Sequence, residues 1–197
     1  MGLLSEKAIR AALARGALKI DPPPGDEHFD SDSVAVHVGE RIYTWKQPAG
    51  GATLTVPLWR SGAANNPFDM KSFAAEHLAV VPPDPDGLVT IRPHTFYLAD
   101  LMQYIALPAD LAVHIQGRST LARLGMGVHV TAPHAHAGWD GRLALEIYNF
   151  GPFNIELKRG APVGQLTFWR VEDPASSAEE IRPGIFTGQE RASGAKE

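Results

Sequence analysis

The 197-residue sequence contains no cysteine. That excludes disulfides, thiolate nucleophiles and every zinc site built on Cys ligands, and it fits a reducing cytoplasm. Long apolar runs are missing too. No window approaches the ~20 apolar residues needed to span a bilayer. The opening stretch, MGLLSEKAIRAALARGALKI, alternates apolar and charged residues instead of building the apolar core of a signal peptide. A soluble, cytoplasmic protein is expected. Nor is there an excess of positive charge: 18 Lys and Arg stand against 22 Asp and Glu, a net charge of −4. Such a balance does not suggest a chain that coats itself in nucleic-acid backbone. Small anionic ligands need only a local cluster of Arg or Lys, so they stay open as partners.

What the chain does have is punctuation. Nineteen glycines and sixteen prolines break it into short pieces. The first piece reads as an amphipathic helix, with Ser5 as N-cap, Ile9, Ala12 and Leu13 on one face and Gly16 as a stop. Asp21-Pro22-Pro23-Pro24-Gly25 is a rigid connector. Short β-rich runs follow at 34–38, 41–45, 53–58, 78–81, 88–91, 95–99, 112–115, 127–131, 143–148, 154–157 and 163–171, separated by Gly, Pro, Asn and Asp. Many short strands with regular turns predict an all-β barrel or jelly roll rather than βαβ units. Residues 61–76 read as an excursion carrying a short helix. One β domain over residues 1–172 is expected, followed by a mobile tail at 173–197, rich in Ala, Ser, Gly, Glu and Pro.

Residues 114–151 carry most of the chemistry. In Gly117-Arg118-Ser119-Thr120-Leu121-Ala122-Arg123, a helical turn starting near Ser119 would let free amides, a hydroxyl and two guanidiniums converge on an anion. The same spacing also describes a surface helix with two solvated arginines. Glu146 interrupts an apolar strand, Ala144-Leu145-Glu146-Ile147-Tyr148, and alternation puts it on the face of Ala144 and Tyr148. A carboxylate there is either solvated or lines a pocket. In a pocket, desolvation would move it toward the range useful for a general base. His134-Ala135-His136, followed by Asp140 and Glu146, loosely echoes the metal ligands of cupins. The Glu spacing differs, however, and no second-motif His follows Gly164.

Taken together, GRS-x-LAR, HVTA, GW-x-G and LE-x-YN, followed by LKRGAPVGQLTF, resemble the dCTP deaminase family of the dUTPase superfamily. The likeness covers about residues 1–170 and is dense from 107 to 168. It implies a mainly-β, distorted jelly-roll barrel with a short N-terminal helix, a homotrimer, and active sites where subunits meet. The implied reaction is hydrolytic deamination of dCTP, or a related cytosine nucleotide, to the uracil nucleotide and ammonia. By this resemblance Glu146 activates water, and Ser119 and Arg123 position the water and the carboxylate. Arg118, Thr120, Leu121 and Ala122 belong to the segment that grips the phosphates. His129, Val130, Thr131 and Ala132 offer backbone groups to the base, and Ala144, Leu145 and Glu146 border it. Trp139 and Tyr148 read as packing residues, with Trp139 in the family's aromatic slot beside the pocket and open to both roles. No metal is needed at the base, and Mg²⁺ enters only as the counter-ion of nucleotide phosphates.

The chain departs from the family pattern in three places. His136 stands where an Asp contacts the deoxyribose hydroxyl, which exchanges an acceptor for an imidazole. In the C-terminal lid that folds over the triphosphate, Gln189 matches the family Gln. Ile185 replaces a Lys, and the Tyr position falls near Ala178. Ala35 and His37 replace an Asp and an Arg of an early strand, which reads as loss of an ion pair. Two alternatives stay open: a dUTPase-like nucleotide diphosphohydrolase, and a nucleotide-binding module without catalysis. Trp45, Trp59 and Trp169 are expected in core or trimer contacts.

Overall fold

The computed structural model describes residues 2–56, 68–175, 180–181 and 183–194. Trp59, Ala178, the 57–58 end of one expected strand and the 61–67 part of the expected excursion lie outside the described residues.

Helix α1 (Glu6–Ala14) begins where the Ser5 hydroxyl accepts the Ala8 N–H at 3.4 Å. It buries Ile9 and Ala12 completely and ends at Gly16, whose φ of +69° suits a residue without a Cβ. In chain order there follow β1 (Lys19–Asp21), β2 (Phe29–Asp30), β3 (Ser33–Trp45), α2 (Met70–His77), β4 (Leu78–Val80), β5 (Leu88–Ile91), β6 (Phe96–Ala106) and β7 (Leu111–Gly117). A single helical turn, α3 (Ser119–Arg123), leads to β8 (Met126–Gly127), β9 (His134–Ala135), β10 (Asp140–Asn149), β11 (Ile155–Lys158) and β12 (Pro162–Arg170).

Every pairing is antiparallel. The main sheet has ten strands, ordered β8-β10-β6-β3-β12-β7-β9, with β1 on β6 and with β2 and β4 on β3. β5 and β11 form a separate pair. The sheet curls because β3 serves two neighbours. Its residues 34–37 pair with β12, whereas Val38, Ile42 and Tyr43 pair with β6. The bend falls at Gly39, where a Cβ would lie 2.8 Å from the Asp100 carbonyl oxygen. Two runs expected as separate strands, 34–38 and 41–45, are therefore one bent strand.

The core lies inside the curl. Val34, Val36, Leu101, Ile105, Leu145, Ile147, Leu166 and Phe168 are 0% exposed. Each contributes about 1.5–3 kcal/mol by leaving water, except that the smaller valines sit at the low end. Strict alternation in β10 produces this: residues 143, 145 and 147 point inward, while 142, 144, 146 and 148 face out, half-buried.

The expected ion-pair loss near His37 has a structural counterpart. Gln103 on β6 accepts the His37 N–H at 3.1 Å, and its amide nitrogen lies 2.8 Å from His37 Nδ1. An amide N–H donated to Nδ1 requires a neutral ring, and burial pushes the His37 imidazole down, helped by His28 and Arg118 nearby. Two neutral groups thus satisfy each other inside the sheet.

Other differences are local. Residues 128–131 leave the sheet after a two-residue β8 paired with the end of β10, and the chain crosses to β7, where Ile115 N donates to Pro133 O at 2.9 Å. Residues 53–56 form no strand. The composition of the last stretch suggests mobility; in the structure residues 183–194 lie along the start of β10 and beside α2, making specific backbone contacts.

Candidate functional site

Glu146 projects from the outer face of β10, opposite Leu98 on β6. It is half-buried, and one carboxylate oxygen is fixed by three donors. Oε2 accepts the Thr131 N–H at 2.7 Å, the Thr131 hydroxyl at 3.0 Å and the Ala132 N–H at 3.1 Å. Two successive backbone amides and a hydroxyl aimed at one oxygen form a charge-assisted clamp. They orient the carboxyl, and its second oxygen has no hydrogen-bond partner among the described residues.

The 128–133 segment that supplies the clamp also brings His129 close. Burial pushes the His129 imidazole down, the Glu146 charge opposes this, and His114 adds to the depression. A neutral imidazole beside a carboxylate is the resulting state near neutral pH. Val130 and Ala132 are exposed on the same segment, and Ala144 is half-buried beside Glu146. Leu145 is 0% exposed, so only its backbone could border a ligand.

Trp139 is mostly buried. Its Nε1 donates to Gly141 O at 3.1 Å, and its ring meets His136 edge-on at 5.9 Å between centroids. The loop is pinned from behind, because Leu107 N donates to Trp139 O at 2.7 Å and Gly138 N to Pro108 O at 3.1 Å. His136 Nδ1 lies 2.8 Å from Ala137 O.

The structure places the expected phosphate segment on α3, with Arg118 as its N-cap. Arg118, Ser119, Thr120, Ala122 and Arg123 are exposed, and Leu121 is half-buried against the core. Neither Ser119 nor Arg123 hydrogen-bonds to Glu146 among the described residues of the chain. The helix end is nevertheless fixed to the end of β10. Phe150 N donates to Gly125 O at 2.7 Å, and a Cβ at Gly125 would lie 2.4 Å from Gly151 N. Gln189 is 4% exposed and donates Nε2 to Arg142 O at 2.9 Å, so in this conformation it is packed in its own chain.

Two of the side chains named in the cupin-like reading are engaged elsewhere. Asp140 accepts the Tyr104 hydroxyl at 2.6 Å, an interaction that pushes the phenol up to about 12, and Glu146 is held by Thr131 and Ala132. Among the described residues no three His, Cys, Asp or Glu side chains gather into a metal-binding group.

Two residues were missed in the sequence. The Thr131 hydroxyl joins the clamp although only its backbone was expected to matter, and Asp100 is a carboxylate only 2% exposed in the apolar β6. An Asp flanked by Ala99 and Leu101 in a strand was the available signal.

Comparison with known proteins identifies the family. The dCTP deaminase-like family matches residues 3–171. The dUMP-forming dCTP deaminase of Methanobrevibacter smithii is 31% identical over 175 residues, covering 89% of this chain and 84% of the relative. The dCTP deaminase of Rhodospirillum rubrum is 32% identical over 180 residues, covering 91% and 88%. In fold, the crystal structure of 2′-deoxycytidine 5′-triphosphate deaminase from Agrobacterium tumefaciens superposes with a TM-score of 0.61 at 23% identity. It covers 87% of this chain, which spans about half (48%) of that longer chain. With a family match along most of its length and these relatives at about 30% identity, the chain belongs to the dCTP deaminase-like family of nucleotide deaminases.

Proposed function

We propose that this protein hydrolytically deaminates a cytosine deoxynucleotide, dCTP or a close relative, to the uracil nucleotide and ammonia. The observation that carries the reading is the half-buried Glu146 carboxyl, with one oxygen clamped by Thr131 and Ala132 and the other without a hydrogen-bond partner among the described residues.

The chemistry follows from that carboxyl. Its free oxygen takes a proton from a water as the water oxygen bonds to C4 of the cytosine ring. The proton passes to N3, giving a tetrahedral centre at C4. The second water proton, carried by the same carboxyl, moves to the amino nitrogen. The C4–N4 bond then breaks, ammonia leaves, and C4 keeps the oxygen as a carbonyl. No Lewis acid is required at C4 in this scheme, and Mg²⁺ accompanies the phosphates.

Ser119 and Arg123 lie exposed on a helix apart from the Glu146 of their own protomer, which supports a site completed between copies. In a homotrimer, α3 of one copy would face the β10 of its neighbour and place hydroxyl and guanidinium beside the attacking water. His136 in place of an acidic residue disfavours the diphosphohydrolase alternative, since an imidazole supplies neither the same charge nor the same acceptors.

The test is incubation with a panel of cytosine nucleotides differing in sugar and phosphate number, reading ammonia release and the absorbance change of the base. Turnover of at least one, lost in Glu146→Gln, is expected. A folded protein that binds these nucleotides and releases no ammonia from any of them would leave only the non-catalytic alternative.

A further inference from the structure

Two polar atoms beside the site are buried with nothing to bond. His136 Nε2 and Thr187 Oγ1 have no hydrogen-bond partner among the described residues. Both flank Gly184, where a Cβ would lie 3.4 Å from Nε2 and 3.8 Å from Oγ1. Stranding buried donors or acceptors is unfavourable, so a contact that strands two must be held in place by something else.

The holding contacts lie just downstream. Gly188 N donates to Asp140 O at 2.6 Å, Arg142 N donates to Gln189 O at 2.9 Å, and Gln189 Nε2 returns a bond to Arg142 O at 2.9 Å. Glu190 pairs with Arg142 Nε at 3.2 Å. Ala192 N donates to Asp100 Oδ1 at 2.6 Å, and Arg191 Nη1 lies 3.5 Å from Asp100 Oδ2 and from Glu40. The receiving surface is shaped for close approach. A Cβ at Gly138 would come within 2.7 Å of the Ile181 side chain. At Gly141, whose φ is +146°, a Cβ would come within 3.0 Å of Gln189 O.

Asp100 explains why this segment stays down. It sits on β6 directly across from Ala144, on the sheet face that carries Glu146. Its partners outside the tail are few: the Tyr43 hydroxyl at 3.5 Å, with the Arg41 charge nearby. A carboxylate so buried is destabilised by desolvation unless it is bonded, and the tail supplies the short bond.

We propose that residues 183–192 are latched onto their own protomer by Asp100, and that the latched segment caps His136, so that His136 meets a ligand only when the latch opens. Nε2, the ring nitrogen that does not face Ala137 O, is the atom that the docked segment covers. The latch is a property of the resting chain and stands whether or not the deaminase reading holds.

The test uses the full-length protein and does not depend on turnover. Diethyl pyrocarbonate acylates accessible imidazoles, and peptide mass spectrometry reads each histidine separately, with exposed His94 as internal reference. In the wild type His136 should react about tenfold or more slowly than His94. Asp100→Ala and, separately, Arg191→Ala should each bring His136 close to the His94 rate, while hydrogen exchange of amides 187–192 accelerates together. Arg191 lies on the docked segment itself, so its variant carries the test if Asp100→Ala folds poorly. Three results overturn the proposal: His136 as reactive as His94 in the wild type, faster tail exchange with His136 still protected, or no change in either readout.

Discussion

Thr131 gives both its backbone N–H and its hydroxyl to a single oxygen of Glu146, at 2.7 and 3.0 Å. The two residues are fifteen apart in sequence, Thr131 in the segment that follows β8 and Glu146 on β10, so the carboxyl is oriented before any ligand arrives. Preorganisation of this kind lowers the cost of reaching the reactive geometry.

Replacing the carboxyl is the most direct probe of that arrangement. Glu146→Gln keeps the shape and an acceptor for the clamp but cannot take a proton. The rate of ammonia release should fall by about 10²–10⁴-fold with little change in melting temperature. A variant that retains more than a tenth of wild-type turnover would remove Glu146 from the role of base.

Thr131→Val removes the hydroxyl and leaves both amides. One of three donors is lost, so kcat should drop by roughly tenfold or less, with KM nearly unchanged. Thr131→Ser should recover most of it. Equal loss in both variants would mean that the methyl group, and not the hydroxyl, matters.

A shared site predicts complementation. Glu146→Gln and Arg123→Ala should each be nearly inactive alone. After the two are unfolded and refolded together in equal amounts, about one quarter of the sites would pair an intact Glu146 with an intact Arg123 from a neighbour. Activity near that fraction, together with a trimeric mass in light scattering, is the expected outcome. Persistent inactivity in a mixture shown to exchange subunits argues for sites contained in one chain.

Stability should depend on pH with a definite sign. Burial pushes the His37, His129 and His134 imidazoles below the ordinary value. The folded chain therefore binds protons less readily than the unfolded chain. Their stabilising contribution is complete above the usual histidine pKa of about 6.5 and is lost as pH falls through their lowered folded values. Melting temperature should decline as pH drops below about 6.5, and His37→Gln should flatten that decline. A melting temperature that rises on acidification through this window would contradict the assignment.

The strand pattern of this chain is easy to read because burial alternates cleanly: Leu143, Leu145 and Ile147 point inward and Glu146 outward by period alone. The Ser5 cap and the Gly16 stop are equally local signals. What sequence reasoning could not supply was pairing at a distance. β3 reads as two strands because its bend at Gly39 resembles a turn, and the reason for the bend, the backbone of Asp100, lies sixty residues away in sequence. The same holds for the candidate site. Glu146 is conspicuous as a charge in an apolar run, but its clamp depends on where the 128–133 segment lands after leaving the sheet. The contacts of the tail were out of reach for a related reason, since its polar composition says nothing of the Asp100 and Arg142 groups it meets.

The backbone contact between Gly125 and Gly151 leaves no room for a side chain at either position, since a Cβ at Gly151 would fall on the Leu124 carbonyl oxygen. Helix α3 and the end of β10 are thereby riveted into one rigid lever. In the trimer proposed above, each protomer lends α3 to one catalytic centre and β10 to the next. A shift imposed where phosphates bind in one centre would be handed through the rivet to the carboxylate of its neighbour, and the three centres would not turn over independently.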